Sequence, residues 1–200
     1  EIVHHVLVYI DPSNSSVTDT VGGDCASPTS SGVSLLGGYT PGSSPLTLPA
    51  SSDLKLGMTI PANSQVVLGM HYPEGSYGEI DSTKVIFHFY PPGETGVREV
   101  YTERLLENWN FYLAPNQFTT VNAQNGPISQ DYSLLSVFPH MHLLGQTIQV
   151  YGITPNNDTL KLIDIPHWDF EWQDFYFYKY IQKAEIGSIF YCEGTYDNTP

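Results

Sequence analysis

The stretch 133–153, SLLSVFPHMHLLGQTIQVYGI, decides how the chain is read. Ser133 to Phe138 and Thr147 to Ile153 are short runs of apolar, β-branched and aromatic residues, and Pro139 and Gly145 punctuate the interval between them. Such runs are strand signals, because branched and aromatic side chains pack well on a pleated surface while Pro and Gly interrupt ladders. The same pattern recurs at Ile2 to Ile10, Gln65 to Tyr72, Thr83 to Tyr90, Leu160 to Ile165 and Ser188 to Thr195. The spacing predicts an all-β fold. Fourteen Tyr, 9 Phe, 17 Gly and 15 Pro push in the same direction, toward strands and turns. Only Arg98 to Glu107 has helical character, and it is short enough to read as strand as well. Asp11 to Ser52 is rich in Ser, Gly and Pro and is expected to form loops.

Pro91, Pro92 and Gly93 end one run, and Asn108 to Asn125 begins another, so a domain change is expected near residues 91–110. For 200 residues this suggests two consecutive antiparallel β-sandwich domains, 1–100 and 101–200. Glu1 opens directly on the strand-like run EIVHHVLVYI, so the chain is expected to be a fragment, cut at its start and at its end, with the first domain lacking its initial strands.

The formal charge of −14, from 21 acidic residues against 7 Lys plus Arg, makes a nucleic-acid groove or an anionic membrane surface a poor partner and favours small molecules or cations. No apolar run approaches the roughly 18 residues of a membrane span, and the scarcity of Lys and Arg suits a secreted, extracytoplasmic protein. Cys25 and Cys192 are too few for a disulfide-dense scaffold and too far apart for their pairing to be read from spacing.

Five of the seven histidines stand in contexts that suit metal ligation: His4 with His5, His71 in VVLGMHYP, and His140 with His142 in PHMHLLG. On an extended backbone, residues two apart share a face, so His140 and His142 can converge on one ion while Met141 points away. Adjacent His4 and His5 face opposite sides of a regular strand and need a bulge or twist to act together, with His71 as a third ligand. Imidazole sites without thiolate suit copper, zinc, iron or nickel alike. His88 and His167 are lone and read as packing or surface residues, His167 with a possible supporting role behind a ligand. The aromatic cluster from Trp168 to Tyr180 reads as core and strand edge, and Asp11, Asp19 and Asp24 as a solvated loop rather than a calcium site. Asn14 and Asn157 head glycosylation sequons.

HHVLVY, LLGGYTPGSSPLTLP, VVLGMHYP, PHMHLLG, IPHWDFEWQ and YCEGTYDN follow one another in that order. This series resembles the copper type II, ascorbate-dependent monooxygenases, the family of peptidylglycine α-hydroxylating and dopamine β-monooxygenases, over nearly the whole chain. The resemblance implies two β-sandwich domains, each carrying one copper, in an enzyme that uses ascorbate and dioxygen to hydroxylate a C–H bond of a small organic substrate. It implies His4, His5 and His71 as ligands of the electron-donating copper, and His140 and His142 as catalytic ligands of the copper where dioxygen and substrate meet.

The family's second copper also takes a Met, from a segment following the one that resembles YCEGTYDN, and the chain is expected to lack it. None of Met58, Met70 and Met141 sits in the matching context. Cys192 stands where family members pair a Cys with one beside that Met. Phe138 occupies the place of the Arg that peptide-hydroxylating members carry, so a peptide carboxylate is not the expected substrate handle. Gly69 stands where some members have Gln. The alternative is a secreted copper-binding or interaction module that keeps the fold without turnover. A cupin-like mononuclear enzyme would need a Glu soon after the H-x-H pair, and Leu143 to Tyr151 has none.

Overall fold

The computed structural model describes residues 2–18 and 32–200. Among them it contains strands and turns and no helix, so the molecule is all-β. The chain divides into two compact units, Glu1–Glu103 and Arg104–Pro200.

In the first unit, β1 (His5–Asp11) lies between β2 (Ser34–Tyr39) and β4 (Gln65–His71) in an antiparallel sheet. A parallel pair, β3 (Lys55–Gly57) with β5 (Val97–Glu99), completes its ladders. β1 is central because Val6, Tyr9 and Ile10 are buried, and Ile10 is only 1% exposed. Burying a side chain of that size contributes about 1.5–3 kcal/mol. β1 ends on Asp11, whose buried carboxylate accepts from the backbone N–H and hydroxyl of Ser13, those of Ser16, and the N–H of Ser15. The Ser13 and Ser16 hydroxyls are the main reason its pKa lies well below the usual carboxylate range. Asp11 is therefore a turn-forming residue; Asp19, Asp24 and Cys25 lie outside the described residues.

In the second unit, β6 (Phe118–Asn125), β11 (Ile189–Asp197), β8 (Gly145–Ile153) and β9 (Thr159–Ile165) form one antiparallel sheet in that order. β10 (Tyr176–Ala184) and β7 (Tyr132–Val137) form a second, with a register shift between Phe177 and Gln182. Both sheets feed one cluster, in which Ala184 from β10 and Phe190 from β11 pack with Ile128, Leu134 and Leu160. Alternation puts Phe190, Gly194 and Tyr196 of β11 inward, and a second cluster of Met141, Ile148 and Tyr196 is closed by Trp168 and Cys192. Burial pushes the Cys192 thiol up to about 11, and the adjacent Glu193 adds to the shift.

Three sequence expectations are corrected. Thr83 to Tyr90 joins no ladder, and Ile86 and Phe89 are exposed, because β propensity has no partner edge there to act on. The stretch Arg98 to Glu107 holds no helix; its first residues belong to β5, whose pairing with β3 overrides weak helical propensity. The polar stretch after Asp11 contains β2, whose Gly37 and Gly38 approach Leu46 and Leu7 so closely that an added Cβ would stand 3.1 Å from each.

Candidate metal centres

The first centre is built at the start of β1. His5 and His71 are opposite partners in the β1–β4 register, so their side chains leave the sheet together. The chain bends at His4, just before β1, and the His4 N–H donates to the His71 carbonyl at 2.8 Å. That bend removes the opposition that a regular strand would impose on neighbours 4 and 5. The three Nδ1 atoms then converge, at 3.0 Å for His4 to His5, 3.0 Å for His4 to His71 and 3.3 Å for His5 to His71. Among the described residues this is the group of three potential ligands close enough to share one ion.

The triangle has a property that a pair lacks. Each Nδ1 either carries a proton and donates or presents a lone pair and accepts, and it never does both at once. Around a ring of three, donor and acceptor cannot alternate, so at least one contact sets proton against proton or lone pair against lone pair in any protonation state. A cation receiving three lone pairs removes that conflict. Bonds of about 2.0–2.1 Å meeting at a tetrahedral angle separate imidazole nitrogens by about 3.3 Å, close to what these side chains adopt. The donor set therefore fits a first-row metal ion. Burial, with a further contribution from His4, holds the His71 pKa below the ordinary imidazole value and favours the neutral, ligating form.

The second group follows β7. The segment 138–142 is extended but unpaired, and its alternation leaves His140 and His142 exposed while Met141, 2% exposed, enters the core. The rings lie 5.1 Å apart at 78°. Gly145 closes the segment by donating its N–H to the His142 carbonyl at 2.8 Å. An ideal Cβ on Gly145 would stand 3.0 Å from that oxygen and 3.0 Å from Trp168, so the final Gly of PHMHLLG is a packing requirement. His140 Nδ1 meets Gln173 Oε1 at 2.5 Å. The protein packed around the His140 ring lowers its pKa, the Gln173 bond opposes that shift, and His142 adds to it.

His4, His5 and His71 thus form one cluster, and His140 and His142 stand as a pair. Met141 does not join the pair, because its side chain packs at Gly194 with Cε 3.1 Å from an ideal Cβ there. Met70 lies in β4 opposite Val6, and Met58 lines a cavity of about 100 Å³ with Thr59, Glu99 and Tyr101. His88 and His167 are exposed and belong to no cluster of three among the described residues. Phe138, beside the pair, is covered by Phe175 with ring centroids 4.7 Å apart.

Sequence reasoning missed Gln173, Gly145 and Phe175 as parts of this surrounding. The signal for Gln173 was a lone amide inside the aromatic run WDFEWQD, where a buried polar group calls for a partner. No protein-family model matches the chain, and no curated protein matches it.

Proposed function

We propose that the chain is the core of a copper-dependent, ascorbate-driven monooxygenase that hydroxylates a C–H bond of a small organic substrate. The observation that carries this reading is the His4, His5 and His71 triangle, whose three converging Nδ1 atoms make a ready cation site. The ordered series of motifs adds copper as the metal and His140 with His142 as the second site. The same reading takes each unit as a β-sandwich of the jelly-roll kind and the protein as extracytoplasmic.

Copper, when bound, supplies the one-electron redox chemistry and dioxygen activation that the side chains lack. The chain's own contribution is placement. The β1–β4 register holds His5 against His71, the bend brings in His4, and the extended segment 138–142 turns His140 and His142 outward together. Phe138 under Phe175 gives the pair an apolar neighbour, which suits an uncharged substrate group better than a carboxylate.

The second reading, a copper-binding module without turnover, is favoured by one observation. Two histidines are a thin ligand set, and the nearby Met141 is committed to the core. Ascorbate-driven oxygen consumption by the Cu(I)-loaded protein tests the choice, with His142→Ala as the control. Uptake that His142→Ala abolishes supports the monooxygenase. Two bound coppers without uptake favour the binding module, and failure to bind copper overturns both.

A further inference from the structure

Thr83 to Tyr90 has the sequence of a strand and no ladder to join, yet it is fixed at both ends. At its start, the Asp81 carboxylate accepts from the N–H and the hydroxyl of Thr83 at 2.9 Å each, and from the Tyr72 hydroxyl at 3.1 Å. At its finish, the Tyr90 hydroxyl donates to the Leu56 carbonyl at 3.0 Å, and the Tyr90 ring lies against Gly57. Between these anchors the backbone pairs with no strand among the described residues, and Ile86 and Phe89 are 75% and 74% exposed. The rings of Phe87 and Phe89 lie 6.2 Å apart, as side chains two residues apart do on one face of an extended backbone. A tethered, extended segment with free backbone groups and apolar side chains is a template for strand addition.

We infer that Thr83 to Tyr90 docks a second copy of the chain, the two segments pairing antiparallel about a two-fold axis at Phe87. Charge favours a like partner here. From Ser82 to Gly93 there is no acidic residue, in a chain of formal charge −14, so two copies can meet at this segment without the repulsion that the net charge otherwise imposes. The sequence is also self-complementary. A two-fold axis perpendicular to the ladder keeps each side chain on its own face, so Phe87 stands opposite Phe87, Val85 opposite Phe89 and Ile86 opposite His88. One face then carries a continuous row of Val85, Phe87 and Phe89 from both copies, and on the other Lys84 meets the Tyr90 ring rather than a second cation. An eight-residue ladder with one apolar row lies at the low end of interface sizes, so the dimer should form and dissociate reversibly.

Sedimentation velocity over a concentration series of the 200-residue chain tests this without metal. The wild type should pass from monomer to dimer. Phe87→Lys, which sets two ammonium groups opposite each other at the axis, should raise the dissociation constant at least about 30-fold, as loss of a central anchor does. Ile186→Lys, at an exposed apolar residue of the second unit, should leave it unchanged. The register has its own readout. Phe87→Cys should form a disulfide with its own counterpart under mild oxidation, identified by mass spectrometry of the linked peptides, because opposite residues of an antiparallel pair are about 4.5–5.5 Å apart. Lys84→Cys should not, since its counterpart would lie six residues along the ladder, about 20 Å away.

A chain that stays monomeric at the concentrations used for NMR would overturn the inference, as would a dimer that Phe87→Lys leaves intact or that Ile186→Lys weakens equally. Should Phe87→Lys fold poorly, the two cysteine variants decide: linkage at 84 rather than 87, or at neither, overturns it.

Discussion

In the first unit three imidazoles meet through Nδ1 because a cross-strand pair and a bend bring them together; in the second, two imidazoles stand two residues apart on an extended segment, and a buried amide holds one of them. The triangle is long-range in sequence, with His4 and His71 separated by 67 in residue number. The pair is local and needs only the alternation of the backbone. The difference teaches that similar imidazole groups place different demands on the fold. The triangle depends on strand register, since a slip of one residue would send His71 to the other face of β4. The pair depends on what lies behind it, namely Met141 in the core, Gly145 against the His142 carbonyl, and Gln173 on His140.

Removing a ligand gives the largest expected contrast. His71→Ala should cost the triangle its ion at micromolar free metal while leaving metal uptake at the pair unchanged, as checked by titration with competing chelators. Equal losses at both sites would break the comparison. Gly145→Ala should act on the second unit alone, because a methyl group has no room between the His142 carbonyl, Trp168 and Met141. We expect a loss of about 1–3 kcal/mol in chemical denaturation, as for other overpacked sites, together with weaker metal binding at the pair and an unchanged triangle.

Acid should act on the triangle with a definite sign. The folded-state pKa of His71 lies below 6.5, so between those two values the unfolded chain binds more protons than the folded one. The stability of the metal-free protein should be insensitive to this group above 6.5 and should decline as pH falls below it. Bound metal should carry the decline to lower pH, and denaturant midpoints measured across that range with and without Cu(I) check it. The smallest effect is expected at Gly69. An added Cβ there would meet Tyr9 at 3.5 Å and Leu7 at 3.8 Å, which are ordinary contacts, so Gly69→Ala should change stability by no more than about 0.5 kcal/mol. A larger loss would mean that the face of β4 carrying His71 is less tolerant than its spacing indicates.

The all-β class was legible because β8, β9 and β11 announce themselves through alternating branched and aromatic residues between turn signals. β6, with Thr, Asn and Gln at most of its positions, was hidden because its pairing with β11 comes from backbone geometry rather than from apolar pattern. Thr83 to Tyr90 shows the converse, a clear pattern with no ladder to join. At the sites, the outward turn of His140 and His142 with Met141 inward could be read from period two alone. The meeting of His4 with His5 could not, since it comes from a bend that no residue at that place advertises. Gln173 could be read only as a lone amide within an aromatic run; its partner His140 lies 33 positions away, which no local pattern reveals.

The most direct test of the account is metal content by elemental analysis after anaerobic reconstitution with Cu(I), on the wild type, His71→Ala and His142→Ala. About two coppers are expected in the wild type and about one in each variant, because each ligand removed should empty only its own site. Less than one copper in the wild type, or zinc or iron retained in its place, would contradict it.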